Sequence, residues 1–272
     1  MDNVTPIESP GGSALARGIA VLQAFTAERP TLTARELIAI TGLPKPTLFR
    51  LTGTLCETGL LRYDEVTGCF TPAPGMARLA APLLSRTSIR QLAFGPMQAL
   101  AERLCAQVSL GIGLGRDLVF IELAQAKECV TVRPGMGTRI SLSRTASGRA
   151  YLNVVPAEIR ERYLSDVPGA DQLRERLAQA KDELTQHGFC INRGELVRHL
   201  DAVAVPLHPA REGGEIYVFA CAVPSFELRD GQLLNDVGPR LLTLARGIEA
   251  GLGVPPPQAD DASPRARGES RA

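Results

Sequence analysis

Lys45, Pro46, Thr47, Phe49 and Arg50 stand close together just after the tight sequence Thr41-Gly42-Leu43. Arg can bond guanine through two donors or neutralise a phosphate, Thr and Lys can bond phosphate oxygens, and a Phe ring can pack on a thymine methyl. These residues present one surface if Leu48, Leu51 and Leu55, at i, i+3 and i+7, form the inner stripe of a helix. Pro46, Phe49, Arg50 and Gly53 then face outward, flanked by Lys45 and Thr47. That is the chemistry of reading duplex DNA. The plain alternative is the solvated polar face of a helical hairpin in a small bundle, which has the same spacing.

The surrounding sequence supplies the elements to hold such a surface. Thr33 reads as an N-cap with Glu36 completing a capping box, and Leu37, Ile38 and Ile40 give the apolar side of a short helix. Thr33 is counted with the candidate DNA contacts. A second helix opens at Pro44 to Pro46, where proline costs no hydrogen bond, and runs to about Thr58 before Gly59 stops it. Two short helices joined by a glycine turn make a helix-turn-helix. Leu60 to Tyr63, a turn over Asp64 to Gly68, and Cys69 to Thr71 read as a hairpin wing, with Arg62 as its phosphate contact. Upstream, Ser13 caps a helix whose Leu15, Ile19, Leu22 and Phe25 are expected to close the core. A winged helix is expected over residues 13–72, after a flexible 1–12.

A chain of 272 residues with 44% apolar composition implies two domains. No apolar run is long enough to span a bilayer, and MDNVTPIESPGG lacks the form of a signal peptide, so a cytoplasmic protein without membrane association is expected. The six cysteines are scattered and only three histidines accompany them, which suggests no disulfide frame, no metal site and no cofactor. Most of the cysteines are expected to be small buried hydrophobes. A net charge of +1 argues against holding DNA by bulk charge. Locally placed cations are needed, and a homodimer would double them. PGMARLAAPLLSR, at 74–86, reads as a helical connector able to separate and pair the two parts, within a linker placed at 73–88.

From 89 to 252 the pattern is that of an α+β domain. Strands are expected at Val108 to Gly113 and Asp117 to Leu123 around a Gly115-Arg116 turn, then at Cys129 to Arg133, Arg139 to Ser141, Cys190 to Asn192, Ala202 to His208 and Glu215 to Ala222. Helices are expected from Ser88 and over Thr145 to Val154, Ala157 to Tyr163, Asp171 to His187 and Leu228 to Leu252. This order favours a largely antiparallel sheet with helices on its faces. Residues 253–272 have almost nothing to bury and read as a disordered tail, with Arg265, Arg267 and Arg271 as solvated charges.

With these segments placed, the chain resembles the IclR family of bacterial transcriptional regulators over about residues 13–252. The marks are LTARELIAITGLPKPTLFRLTGTLCETGLL, the Val108 to Leu123 hairpin, RISLSRTASGRAYL, and HGFCINRGELVRHLDAVAVPL followed by IYVFACAVPSFEL. The resemblance implies a winged helix joined by a helical linker to a GAF-like effector domain, in dimers and often tetramers. It also implies a double-stranded DNA operator, a small organic or aromatic acid as effector, and RNA polymerase as a partner if the regulator activates. By resemblance the effector contacts are Ile140, Ser143, Arg144, Thr145, Ala146, Ser147, Gly148, Asn192, Ala202, Ala220 and Ala222.

Part of that set has a physical basis of its own. Ser141, Ser143, Arg144, Thr145, Ser147 and Gly148 put hydroxyls, a cation and free N–H groups at a helix N-terminus, where carboxylates bind. The competing reading makes Thr145 a plain cap, Ser143 exposed and Arg144 the partner of a surface acid. Relatives often carry His where Ser143 stands and Gly-Lys-Ala where Gly148-Arg149-Ala150 stands. They often have an acid, a cysteine and two serines where this chain has Asn192, Ala202, Ala220 and Ala222. Those replacements make the expected pocket less polar and favour an apolar or aromatic acid, because unpaired polar ligand atoms are costly to bury.

Two other functions compete. A hydrolase would want G-x-S-x-G, which is absent, and His187, His199 and His208 lack a clear Ser or Cys partner. Gly111 and Gly113 sit in a strand with no helix after them, so a bulge or tight hairpin explains them better than a nucleotide loop. An enzyme is not expected. A redox-responsive regulator would use Cys56 or Cys69, although neither has the basic neighbours that make a thiolate. The favoured mechanism is a two-state dimer in which effector binding changes the spacing of two DNA-reading helices across half-sites about one turn of DNA apart.

Overall fold

The computed structural model describes residues 12–26, 29–86, 88–129, 135–207 and 214–253. The N-terminal part contains α1 (Ala14–Gln23), β1 (Leu32–Thr33), α2 (Ala34–Thr41), α3 (Lys45–Glu57), β2 (Leu61–Asp64) and β3 (Cys69–Pro72). Its local signals act as expected. Thr33 caps α2 and shares a complete capping box with Glu36, and Gly42 closes that helix at φ 65°, a backbone state that suits glycine. Pro46 sits in the first turn of α3, where no intrahelical donor is needed. The wing hairpin pairs Leu61 with Pro72 and Tyr63 with Phe70, and β1, which sequence reasoning missed, adds a third strand through Leu32 and Phe70.

The first helix corrects an expectation. Leu15 is 74% exposed and Ile19 45% exposed, while Gly18, Ala20 and Val21 are buried. A periodicity count favours large apolar residues, but here the small face turns inward: a Cβ at Gly18 would already reach Leu51 at 4.0 Å. Close approach of α1 and α3 thus leaves Leu15 and Ile19 outside. Val21, Ala24, Leu37, Leu48, Leu51, Leu55, Leu61 and Phe70 form the core.

The connector is the helix α4 (Gly75–Arg86), followed by α5 (Ser88–Leu104), and each carries an internal proline. Ile89, Ala93, Met97 and Ala101 of α5 pack into the second core. The α+β domain continues with β4 (Gln107–Leu114), β5 (Asp117–Gln125), α6 (Ala146–Val154), α7 (Ala157–Asp166), α8 (Ala170–His187), β6 (Cys190–Arg193), β7 (Leu200–Pro206), β8 (Ile216–Pro224) and α9 (Gly238–Gly251). The sheet order is β5-β4-β8-β7-β6 and every pairing is antiparallel. One face, with Val108, Leu110, Val203, Val205, Phe219 and Cys221, packs against α5 and α9. The other, with Cys190, Ala204, Val218 and Ala220, packs beneath α6 and α8.

Three further expectations change. Arg139 to Ser141 makes only an isolated bridge, Arg139 to Val119, and no strand. Cys129 lies outside any strand, and 130–133 fall outside the described residues, as do His208, the N-terminal 1–11 and the tail from 254 with its arginines. The helix expected over Leu228 to Leu252 starts later, at Gln232, after a 3-10 turn at Ser225–Glu227, and runs without a break through a π turn at Leu233–Val237 into α9. Pro239 in the first turn of α9 cannot donate to the carbonyl four residues back, so a regular α ladder does not run through this point. The Gly111 region behaves as anticipated, with the β4–β5 register shifting between Leu110 and Gly111.

Candidate functional sites

Two surfaces gather the candidate residues. On α3, Leu48, Leu51 and Leu55 are buried, and Lys45, Pro46, Phe49, Arg50 and Gly53 are exposed, with Thr47 half-buried. The Lys45 ammonium lies 5.9 Å from the Phe49 ring centroid, within cation–π range, which holds both side chains along the outer edge. Arg62 is exposed on β2 beside Tyr63, whose ring packs on Phe70 at 4.8 Å. Neither Lys45, Arg50 nor Arg62 makes an ion pair with another described residue, so their donors remain available for phosphate or base. Arg35, exposed on the first turn of α2, shares that condition. Sequence reasoning passed over it because one Arg in a helix carries no pattern. Thr33 is different: its hydroxyl donates to Glu36 Oε2 at 2.7 Å and accepts from the Glu36 N–H at 3.3 Å. Its backbone N–H also bonds that carboxylate, at 2.7 Å. These bonds hold the Glu36 carboxyl below its ordinary pKa.

The wing tip is set by Asp64, which accepts from Thr67 Oγ1 and the Val66 N–H, each at 2.9 Å. The Thr67 hydroxyl and then the Val66 N–H lower its pKa.

The second site lies on the α6 side of the sheet. Strand register places Asn192, Ala202, Ala222 and Gln107 in one row across β6, β7, β8 and β4. The next row is Cys190, Ala204, Ala220 and Ser109. Opposed residues share a face, so three of the candidate positions, Ala202, Ala220 and Ala222, form a floor of small side chains. Ala202 and Ala222 belong to central strands yet stay partly exposed, whereas Ala220 is buried in the core beneath α6.

The segment before α6 overhangs this floor. Asn192, 4% exposed, donates from Nδ2 to the Arg144 carbonyl at 2.9 Å and accepts the Glu195 N–H at 3.3 Å. Its amide thus ties β6 to the loop. Thr145 Oγ1 accepts the Gly148 N–H at 2.9 Å and donates to the Ser141 carbonyl at 2.7 Å, as a cap should. Arg144 is exposed and donates to the Glu195 carbonyl at 3.2 Å, and Ser143 lies 3.5 Å from the Ser141 hydroxyl. Ile140 bonds Leu118 through its N–H and leans over Gly111. Ala146 and Ser147 are buried, and their N–H groups have no acceptor among the described residues, as first-turn donors do not. They form a small electropositive pole.

Close packing fixes this pole. A Cβ on Gly148 would stand 2.3 Å from Leu142 Cα, and one on Gly113 would stand 1.9 Å from the Tyr151 ring, so both positions need glycine. Tyr151 donates to the Gly115 carbonyl at 2.9 Å, and burial raises its pKa. Arg149, with a side chain 5% exposed, bonds Glu195 at 2.9 Å and the Ile191 carbonyl at 2.7 Å; it braces the floor from beneath α6. A cleft of about 150 Å³ near Arg193, Asp201, Ser225 and Arg229 opens on the opposite face and contains none of these residues.

The cysteines do not form a third site. Burial pushes Cys190 and Cys221 up to about 12 and raises Cys56 as well, the reverse of what a reactive thiolate needs. Among the described residues no group of His, Cys, Asp or Glu is arranged to hold a metal, and no helix is long and apolar enough to cross a membrane.

Comparisons with known proteins agree with this architecture. The model of the IclR helix-turn-helix domain matches residues 14–65, and that of the bacterial transcriptional regulator IclR C-terminal region matches residues 81–248. The chain is 29% identical over 243 residues to the HTH-type transcriptional regulator TsaQ1/TsaQ2 of Comamonas testosteroni, covering 87% of each chain. It is 33% identical to an IclR family transcriptional regulator from Brucella abortus, covering 92% of this chain and 99% of that one with a TM-score of 0.71. An IclR homolog from Microbacterium hydrocarbonoxydans, solved with 4-hydroxybenzoate, shares the fold at 22% identity and a TM-score of 0.68, over 86% of this chain and all of that one.

Proposed function

The chain belongs to the IclR family of bacterial transcriptional regulators, and from that premise we propose that it acts as a dimer whose grip on an operator responds to a small organic acid. It is a DNA-binding regulator and not an enzyme. Residues 13–72 read the DNA, 73–88 connect, and 89–252 form a GAF-like sensor in the cytoplasm. RNA polymerase is a further partner if the regulator activates.

The observation that carries the sensor reading is the free N–H pair of Ala146 and Ser147, overhanging the floor of Ala202, Ala220 and Ala222. A carboxylate is favoured at such a helix start, and an apolar body fits over alanines. Ile140, Ser143, Arg144, Thr145, Gly148 and Asn192 shape the mouth. The fold relative solved with 4-hydroxybenzoate supports an acid of this size.

The DNA reading rests on the unpaired Lys45, Arg50 and Arg62 with Pro46, Thr47 and Phe49, and adds Arg35 and Thr33 at the start of α2. A dimer is favoured by the exposed apolar residues Leu79 and Leu83, one turn apart on α4. Acid binding shifts the balance between two arrangements of the sensor domains, and α4 carries the difference to α3.

The test pairs calorimetric titration of aromatic and short-chain acids with fluorescence anisotropy on a labelled operator at fixed salt. An acid that binds should change operator affinity by at least about fivefold, the size of an ordinary coupling. Saturating acid that leaves operator affinity unchanged defeats the regulatory reading.

A further inference from the structure

The connector α4 leaves the winged helix without a buried side chain to anchor it. Among the described residues, none of Gly75–Arg86 belongs to any of the three cores, and most of its side chains are exposed. Core packing therefore does not set its direction. The backbone sets it, at the first residue of the helix.

After α3 ends, Gly59 turns the chain at φ 71°, with its N–H on the Cys56 carbonyl at 3.0 Å and the Leu60 N–H on the Leu55 carbonyl at 2.8 Å. This left-handed turn swings the Gly59 carbonyl off the helix. Two bonds then prolong the β2–β3 ladder beyond the wing: the Ala73 N–H donates to the Leu60 carbonyl at 3.0 Å, and the Gly75 N–H donates to the Gly59 carbonyl at 3.0 Å. The start of α4 is thereby bonded to the end of α3, main chain to main chain. No side chain fits between them. A Cβ on Gly75 would stand 2.3 Å from the Gly59 oxygen and 2.8 Å from its carbonyl carbon, with Leu60 Cδ2 at 3.3 Å. A change of rotamer cannot relieve the first two contacts, because both are to backbone atoms.

Small changes at this joint are magnified along the connector. The 12 residues of α4 make a rod about 18 Å long at ~1.5 Å per residue, so a tilt of about 10° at Gly75 moves the far end by about 3 Å. That is close to the ~3.4 Å between successive base pairs. We propose that Gly75 is a positioning residue: its contact with Gly59 fixes the angle between the recognition helix and α4, and so the spacing of half-sites that the dimer accepts. The winged helix and α4 then move as one body, and the joint between them does not bend when the signal passes. This rests on the dimeric-regulator reading above and goes further, because a connector that carries the signal could be stiff or hinged at this point.

The experiment takes a duplex that the full-length wild type selects from a random-sequence DNA pool and lengthens or shortens the spacer between its two half-sites one base pair at a time. Fluorescence anisotropy at fixed salt then compares the wild type with Gly75→Ala and with Gly247→Ala, whose added carbon on α9 meets nothing within 4 Å. The wild type and Gly247→Ala should prefer one spacing by at least about tenfold. In Gly75→Ala the preferred spacing should move by a base pair or more, or the preference should be lost, while affinity for a single half-site duplex stays unchanged. A second measurement needs no substitution and stands even if Gly75→Ala fails to fold. By hydrogen exchange, the Ala73 and Gly75 amides of the wild type should be protected at least about hundredfold relative to an unstructured chain. Rapid exchange of those amides, a spacing preference unchanged in Gly75→Ala, or a loss of its single half-site affinity would overturn the assignment and leave the dimeric regulator standing. A wild type that binds two half-sites more tightly than one but accepts every spacing equally would do the same. A wild type that binds one half-site as tightly as two would overturn the dimer reading, and this assignment with it.

Discussion

The two halves of this chain place their candidate sites on opposite sides of their cores. In the winged helix the useful groups are what is left over after packing: Leu48, Leu51 and Leu55 go inward, and Lys45, Phe49 and Arg50 remain outside. In the α+β domain the candidate site is made by what is missing from the packing, a floor of alanines under a helix start. A surface site tolerates change beneath it so long as its helix stays folded. An interior site depends on close contacts that one methyl group can break.

The sharpest way to break the comparison is to add one carbon to each half. Gly148→Ala would set a Cβ 2.3 Å from the Leu142 backbone, which cannot swing aside as a side chain can. We expect it to destabilise the α+β domain by about 2–4 kcal/mol and to abolish acid binding, measured by urea denaturation and calorimetry. Gly53→Ala on the outer face of α3 meets nothing within 4 Å. It should instead stabilise the winged helix by about 0.5–1 kcal/mol, since glycine inside a helix costs that much relative to alanine. Equal losses from the two substitutions would erase the distinction.

Arg50→Ala tests the surface side alone. Operator affinity should fall about ten- to hundredfold, from the ~1–3 kcal/mol of a base or phosphate contact, with acid affinity unchanged. Anisotropy at several salt concentrations would show whether the lost contact was to phosphate, since the salt slope would then fall by about one. Unchanged operator affinity would mean that this edge of α3 does not meet DNA.

Thr33→Ala has a smaller expected effect, a loss of about 1 kcal/mol, because it removes the cap of α2. It should also reduce the acid sensitivity of that end without removing it, because the backbone N–H of residue 33, the larger cause of the lowered Glu36 pKa, still bonds that carboxylate. The Glu36 pKa is lowered in the fold, so its contribution is present above the ordinary carboxylate pKa and is lost as pH falls through the folded value. Thermal unfolding of both proteins between pH 7 and about pH 3 should therefore draw closer as the part due to the Thr33 hydroxyl is lost.

The cysteines give the smallest effect, at the alkaline end. Cys190 and Cys221 are pushed up from 9.0 to about 12, so the unfolded chain loses those protons first. Their stabilising share is full below pH 9.0 and declines as pH rises towards about 12. At pH 8 native protein should be alkylated by iodoacetamide at neither residue, as mass spectrometry of peptides can establish.

Local grammar was legible in the residues. Thr33 and Glu36, Gly42, Pro46 and the leucines of α3 each act within one turn of helix, over which sequence spacing converts directly into geometry. The wing and the β4–β5 hairpin were readable for the same reason. The inner face of α1 was not, because Gly18, Ala20 and Val21 gain their place by close approach to α3, a distance no periodicity encodes. Nor did spacing reveal the π turn at Leu233–Val237 that leads into α9 just before Pro239.

By itself the sequence determined a winged helix with an outward Lys, Phe and Arg edge, an antiparallel α+β domain, and a helix start at Thr145 with donors to spare. Each of those follows from neighbours in the chain. Only the tertiary structure decided that Gln107 and Ser109 share a floor with Ala202, Ala220 and Ala222, and that Asn192 is consumed in holding the loop. Residues more than eighty positions apart meet there through strand register, and register is settled by the packing of a whole sheet face and not by any local pattern.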